Sequence, residues 1–309
     1  MTYMRDSVLA FDVGGTYVKA GIFESSGSLL EPVAIYPARS GEEKEALLRH
    51  FTDLIAVQGN RVPAGYAIRG VGLGFPGPFD YERGICRTRG LNKFEALYGV
   101  NLKEELTARI AGIPELRARW RSLPEVAIEN DAALFALGEC AFGVGRGYEK
   151  TICLTIGTGF GSAFVSSGQL VKQGKGVPEG GWLYRLPYRE GMMDDYISRR
   201  GIVRLAREMG IENVAAGEED VKHLADRARS GESQVVQLFR KFGERLAEVL
   251  LPLIRSYQPG AVVIGGQIAQ SADLFVSDSM DNIPVRISSD ISVSALRGAC
   301  QLFTGDQGF

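Results

Sequence analysis

The chain has little of what would mark a secreted, metal-stapled, membrane or nucleic-acid-binding protein. Cysteine is sparse: Cys86, Cys140, Cys153 and Cys300 are scattered through 309 residues with no CxxC pair. That spacing suggests neither a disulfide framework nor a zinc knuckle, and free thiols fit a reducing cytoplasm. A basic excess is also missing. The formal net charge is -2, which argues against a nucleic-acid surface. No stretch approaches the ~20 apolar residues of a membrane span. Residues 1–7 are polar and lack the apolar run of a signal peptide. There is no low-complexity tract and no short repeat. The expectation is a cytoplasmic protein with neither nucleic acid nor membrane as partner. What is present is ordinary for a soluble globular chain: 45% hydrophobic and 23% charged residues. The length suits two domains, with a core large enough to need no disulfide or structural metal.

Two similar cycles run along the sequence. Residues 8–13 form an apolar run that ends in Gly14-Gly15-Thr16, and residues 18–23 resume as a strand. Residues 42–57 place Leu47, Leu48, Phe51, Leu54 and Ile55 at helical spacing. Residues 68–75 read as a buried strand stopped by Pro76-Gly77-Pro78. The charged stretch 116–121, ending at Pro124, places a domain hinge near residue 124. After it, residues 126–129 read as a strand and 132–142 as a helix. Residues 151–156 read as a β-branched strand followed by Gly157-Thr158-Gly159-Phe160-Gly161 and a further strand. Residues 234–257 form a long amphipathic helix, and 261–264 an apolar strand ending in Gly265-Gly266. Mixed strands and helices define an α/β class.

Four stretches carry chemistry. In Phe11-Asp12-Val13-Gly14-Gly15-Thr16 the glycines permit a tight turn and close approach of a phosphate oxygen, and Asp12 can hold magnesium through water. The alternative is a hairpin turn with an incidental acid. In Gly157-Thr158-Gly159-Phe160-Gly161, successive backbone N–H groups can form an anion nest; the alternative is a plain hairpin. Gly265-Gly266 at a strand end lets a flat ring lie on the backbone. Glu129-Asn130-Asp131-Ala132 offers a carboxylate, Asp131, that can take a proton from a hydroxyl, and an amide, Asn130, that can orient one. The alternative makes either residue simply the helix N-cap. Two patterns are rejected. Gly72-Leu73-Gly74-Phe75-Pro76-Gly77 fits GxGxxG but is followed by turn residues instead of a helix. Gly174-Lys175-Gly176 lacks the Ser/Thr and the glycine spacing of a P-loop.

Taken together, the Asp12-Val13-Gly14-Gly15-Thr16, Phe75-Pro76-Gly77-Pro78, Glu129-Asn130-Asp131-Ala132, Gly157–Gly161 and Gly265-Gly266 stretches occur in one order. That order and spacing resemble the ROK family of sugar kinases and repressors, within the actin-like ATPase superfamily, over nearly the whole chain. ROK repressors carry a DNA-binding helix-turn-helix ahead of DxGGT; here that motif begins at residue 12, so none is expected.

The resemblance implies an α/β, two-domain actin-like ATPase (ribonuclease H-like) fold with ATP in an interdomain cleft. Residues 1–124 would form the first domain and 125–291 the larger second one, with a last helix, about 292–309, packed back on the first. It implies ATP and magnesium as cofactors. Asp12, Gly14, Gly15, Thr16 and Lys19 would face phosphate and magnesium. Gly157, Thr158, Gly159 and Gly161 would form the second phosphate loop, and Gly265 and Gly266 the adenosine site. Asp131 would be the general base. Gly74, Pro76, Asn130, Asp131, Glu179, Trp182 and Asp194 would meet the sugar. A homodimer is implied.

The sequence departs from the family at one place. Typical ROK kinases carry ExGH and then a CxCGxxGCxE zinc cluster. Here Glu179-Gly180-Gly181-Trp182 puts Trp182 where the histidine would stand. The later segment Arg189-Glu190-Gly191-Met192-Met193-Asp194-Asp195-Tyr196 holds no cysteine. Thioethers do not replace thiolates on zinc, so no zinc is expected and apolar packing is expected to hold the region. Asp194 aligns with the family's substrate-binding glutamate, one methylene shorter. The expected activity is phosphorylation of a hexose or related sugar. The alternatives are a kinase of an unusual polyol, such as an amino sugar or cyclitol, and a non-catalytic sugar sensor.

Overall fold

A computed structural model describes residues 4–212, 214, 220–277, 279–289 and 291–303. The chain divides into two compact units, residues 1–138 with 292–309, and residues 139–291.

In the first unit, β1 (Arg5–Val13), β2 (Tyr17–Glu24) and β3 (Leu29–Pro37) form an antiparallel meander. The next segment, α1 (Lys44–Arg61), is helical because Leu47, Leu48, Phe51, Leu54 and Ile55 recur on one face and are buried together. β4 (Tyr66–Gly74) then runs parallel to β1. A small hairpin, β5 (Phe79–Asp80) with β6 (Ile85–Cys86), follows Pro76 and Pro78, where a dinucleotide motif would need a helix. α2 (Leu102–Ala111) starts at Asn101, whose side chain accepts the Glu104 N–H. β7 (Val126–Glu129) pairs in parallel with β4 and leads into α3 (Asp131–Phe142). The sheet order is β3-β2-β1-β4-β7. In β1, Val8, Leu9, Ala10 and Phe11 are all buried, the continuous apolar pattern of a strand covered on both faces.

The second unit begins with the antiparallel pair β8 (Lys150–Ile156) and β9 (Phe160–Ser166), extended by β10 (Gln169–Leu170). A two-stranded ribbon, β11 (Pro187–Tyr188) with β12 (Gly191–Met192), stands apart from the main sheet. Three helices follow: α4 (Arg199–Glu208), α5 (Asp220–Arg229) and α6 (Ser233–Tyr257). α6 buries Val235, Leu238, Phe239, Phe242, Leu246, Val249 and Leu250 in this unit's core. β13 (Ala261–Gly265) lies parallel to β8. β14 (Ser279–Met280) and β15 (Ile283–Ile287) complete the order β10-β9-β8-β13-β15-β14.

The last helix, α7 (Ile291–Gln301), belongs with the first unit. Glycines admit it. A Cβ at Gly70 would lie 2.2 Å from the Phe303 ring, and one at Gly72 would lie 2.8 Å from the Ala299 Cβ. α7 crosses α3 backbone to backbone: a Cβ at Gly138 would lie 1.9 Å from the Ser294 carbonyl oxygen, and one at Gly298 1.8 Å from that of Leu134. The strand 126–129, placed after the hinge in the sequence reading, is the edge of the first sheet. The first compact unit therefore runs on past residue 124 to Gly138, because β7 finds its hydrogen-bond partner in β4.

Candidate active site

On the first unit the candidate residues gather at the carboxyl edge of the parallel strands, where α/β sheets usually hold ligands. Strand register sets Lys19, Asp12, Gly74 and Glu129 in one row across β2, β1, β4 and β7. The β1–β2 connection closes with the Gly14 N–H donating to the Tyr17 carbonyl at 2.9 Å, leaving Thr16 exposed. Gly74 lets α3 and Asp12 approach: a Cβ there would lie 3.2 Å from Leu134 Cδ1 and 3.7 Å from Asp12 Oδ1. Burial first, and then the Asp131 charge, push the Asp12 carboxyl up to about 6, and Lys19 works against both.

Asn130 and Asp131 separate into two roles. Asn130 Oδ1 accepts from the amides of Ala132 at 3.0 Å and Ala133 at 3.3 Å, so Asn130 is the N-cap of α3. Its Nδ2 donates to the Tyr81 hydroxyl at 3.2 Å, and that hydroxyl donates to the Phe75 carbonyl at 2.9 Å. Tyr81 thereby ties the Pro76 turn to the start of α3. Asp131 keeps an exposed surface. Desolvation is the largest influence on it and raises its carboxyl pKa, while the Ala132 amide and the Lys93 charge pull the other way.

Lys93 and Tyr81 were not visible in the motifs. Lys93 lies over the first turn, its Cδ 3.3 Å from where a Gly15 Cβ would stand. The Ser40 hydroxyl donates to the Gly15 carbonyl at 2.6 Å, and the Ser40 carbonyl accepts from the Phe94 N–H at 2.6 Å. Phe94 is itself buried against Phe75 and Phe51. A buried aromatic thus anchors the lysine beside it, a signal that residue spacing alone does not carry.

On the second unit the loop between β8 and β9 closes with the Gly157 N–H on the Gly159 carbonyl at 3.0 Å, and Thr158 and Gly159 are exposed. Gly161 opens β9 opposite Thr155. Gly265 and Gly266, both buried, lie beside this loop: Gly265 pairs with Thr155, and Gly157 approaches the Gln267 amide. Gly266 has φ +97°, and a Cβ there would lie 2.1 Å from the Ile156 carbonyl oxygen, so only glycine fits.

Asp194 is fastened to this loop. Its Oδ1 accepts from the Phe160 N–H at 2.6 Å and its Oδ2 pairs with Arg200. The Glu179–Gly181 turn is stitched to β9, because the Ser162 hydroxyl donates to the Gly181 carbonyl at 2.7 Å and accepts from the Leu183 N–H at 2.9 Å. Glu179 is exposed and pairs with Arg185 at 3.1 Å, and the Arg185 guanidinium lies 4.8 Å from the Trp182 ring centre.

The apolar packing expected of the zinc-cluster region is met in part, and not by Met192. Met192 is 53% exposed. The ribbon β11–β12 is also held by rings meeting edge to face and by cations. Tyr188 and Tyr196 meet edge to face at 5.1 Å, and the guanidinium groups of Arg204 and Arg245 lie 4.2 Å and 5.6 Å from the Tyr196 ring centre. Tyr188 donates to Glu248, which also pairs with Arg189 at 3.1 Å. Met193 and Tyr188 pack against the second unit's core, in which Tyr196 is buried. Among the described residues no three His, Cys, Asp or Glu side chains come together as a metal site. No helix among them is long and apolar enough to cross a membrane.

Two α/β units, each with a strand–glycine turn–strand hairpin, define the actin-like ATPase fold. The crystal structure of a ROK family glucokinase from Streptomyces griseus in complex with glucose and AMPPNP shares this fold. It has a TM-score of 0.70 at 22% identity and covers 96% of this chain and 98% of that one. The ROK family model matches residues 8–295, and the chain belongs to the ROK family. Among curated relatives, a glucokinase of Thermotoga maritima is 29% identical over 284 residues, 86% of this chain and 84% of that protein. An N-acetyl-D-glucosamine kinase of Aliivibrio salmonicida is 28% identical over 320 residues, 96% of this chain and 95% of that protein.

Proposed function

We propose that this chain is a sugar kinase that transfers the terminal phosphoryl group of ATP to a hydroxyl of a hexose or related sugar. The observation that carries the reading is the division of labour at the head of α3. Asn130 caps the helix through two amides, while Asp131, an exposed residue whose Oδ1 shares the Ala132 N–H at 2.9 Å, has a carboxyl of raised pKa suited to another task. A raised pKa makes a carboxylate a stronger base while it stays ionised. In this reading Asp131 accepts the hydroxyl proton as the sugar oxygen bonds to the γ-phosphorus. The bond to the β–γ bridging oxygen breaks, and ADP leaves. The amides of Gly14–Thr16 and of Gly157–Gly161, with Lys19 and Lys93, hold phosphate. Gly265 and Gly266 receive the adenosine. Asn130, Gly74, Pro76, Glu179 and Trp182 meet the sugar. Asp194 supports the second loop, because Phe160 and Arg200 hold both of its oxygens.

Magnesium fits the residues present. Asp12 is near enough to Asp131 to feel its charge, a cost that a divalent cation offsets. Asp12 would hold it through water, and when bound it neutralises charge on the phosphates. The same reading carries a cytoplasmic homodimer, which light scattering checks. A second reading, a kinase of an amino sugar or cyclitol, is favoured by Arg185 stacked on Trp182 and paired with Glu179. A coupled ADP-release assay against hexoses, amino sugars and cyclitols tests both. Sugar-dependent turnover on at least one member is expected. Nucleotide binding without turnover on any of them would remove the kinase reading.

A further inference from the structure

Two consecutive arginines open α4, and the structure uses them differently. The Arg199 guanidinium is spent on Asp220: its Nε donates to both carboxylate oxygens at 2.9 and 3.1 Å, and the Asp220 side chain is only 6% exposed. The Arg199 backbone N–H donates to the Gly157 carbonyl at 2.9 Å, which ties the head of α4 to the glycine loop. Ser198 fixes the turn before it, donating to the Asp194 carbonyl at 2.6 Å. Arg200, the next residue, is 63% exposed and, among the described residues, pairs with the Asp194 carboxylate.

That carboxylate lies against the loop. A Cβ at Gly159 would stand 3.2 Å from Asp194 Oδ1, and the same oxygen takes the Phe160 amide at 2.6 Å. One carboxylate therefore bridges a loop amide and an exposed guanidinium, the two kinds of donor a phosphate oxygen seeks. We infer that Arg200 is a ligand of the nucleotide's terminal phosphates, parked on Asp194 until a polyphosphate enters the loop.

The relative strengths favour the exchange. An ion pair as exposed as Arg200–Asp194 contributes little. A guanidinium on phosphate gains a forked pair of charge-assisted bonds to a more highly charged partner. Charge gives a second reason. A polyphosphate in this loop stands beside the Asp194 carboxylate, and without a cation between them the two anions repel. Arg200 is the cation the structure places against that carboxylate. The inference rests on the kinase reading and adds to it a residue outside every glycine motif.

The test is direct titration of ATP and AMP into the full chain and into Arg200→Gln, Arg200→Lys, Asp194→Asn and the double variant Asp194→Asn/Arg200→Gln. Arg200→Gln is expected to weaken ATP binding by about tenfold, the scale of one lost charged hydrogen bond, and to leave AMP binding unchanged. Arg200→Lys should recover part of the loss. The double variant should bind ATP about tenfold more weakly than Asp194→Asn alone. Equal ATP affinity in Arg200→Gln and the parent overturns the inference. So does a double variant that binds like the parent, since Arg200 would then only neutralise Asp194. A parent chain that binds no ATP at all would remove the kinase reading itself.

Discussion

Asp131 sits one residue inside a helix that another side chain already caps, and this separates its possible roles by experiment. Asp131→Asn keeps size and hydrogen bonding. General-base catalysis contributes ~10²–10⁴-fold, so steady-state turnover should fall by at least ~10²-fold, with little change in melting temperature. Near-normal turnover would take Asp131 out of the mechanism. Because desolvation raises its pKa, the acid limb of the kcat/KM profile should lie above the ordinary carboxylate range and be absent from the residual activity of Asp131→Asn.

Asp12 carries the matching stability prediction. Its carboxyl is moved from 3.8 to about 6 in the folded chain. Between those values the folded state binds the extra proton, so stability is fully present below pH 3.8 and is lost as pH rises through about 6. Asp12→Asn should therefore melt higher than the parent at pH 7 in magnesium-free buffer, by on the order of 1–3 kcal/mol, and nearly equal to it at pH 4. Equal melting temperatures at pH 7 would contradict the assigned desolvation. These two acids were legible because each directly adjoins or lies within a short motif. Lys93 and Tyr81 were not, because tertiary hydrogen bonds and buried aromatics bring them to the site from turns with no periodic signal, nor was Arg200, an exposed residue of α4 outside every glycine motif.

At the scale of elements, the two glycine turns were readable because an apolar strand precedes each one and a second resumes after it, which is hairpin chemistry. The turn of the second hairpin has a definite tolerance. Gly159→Val would drive a branched side chain at Asp194 and into the loop, so nucleotide binding should be lost while circular dichroism stays native. Affinity within a few-fold of the parent would mean that the loop is not the phosphate site. The ribbon β11–β12 was less legible. Composition pointed to apolar packing, which Met193 and the buried Tyr196 supply in part, yet Met192 lies in solvent and Tyr196 is flanked by arginines. Side chains far apart in sequence, Arg204, Arg245 and Glu248, supply that cluster from α4 and α6. A ribbon held in this way should not respond to chelators. EDTA is expected to leave the melting temperature unchanged and elemental analysis to find no zinc; one zinc per chain would show that other ligands had been recruited.

At the scale of the whole molecule, the family motifs carried the fold because their order spans both units, whereas the extent of the first unit followed from pairing that the sequence does not state. β7 reads as the start of a second cycle until its parallel partner, β4, is known. The crossing of α3 and α7 sets a further constraint. Gly298→Val would push a side chain into the Leu134 carbonyl, 1.8 Å from the new Cβ. It should cost at least ~1–3 kcal/mol, measured by urea unfolding, and an unchanged midpoint would refute the close crossing.

That same helix also imposes an order of events at the ribosome. Gly70, Gly72 and Gly138 appear early in synthesis, but Ser294, Ala299 and Phe303, the atoms they are shaped to meet, are translated last. The first unit to be made is thus the last to be finished, and the second unit, whose residues are contiguous, can close while its predecessor still waits for a lid strand of helix. A released chain truncated after residue 291 would then display a protease-resistant second unit beside a first unit still open to cleavage.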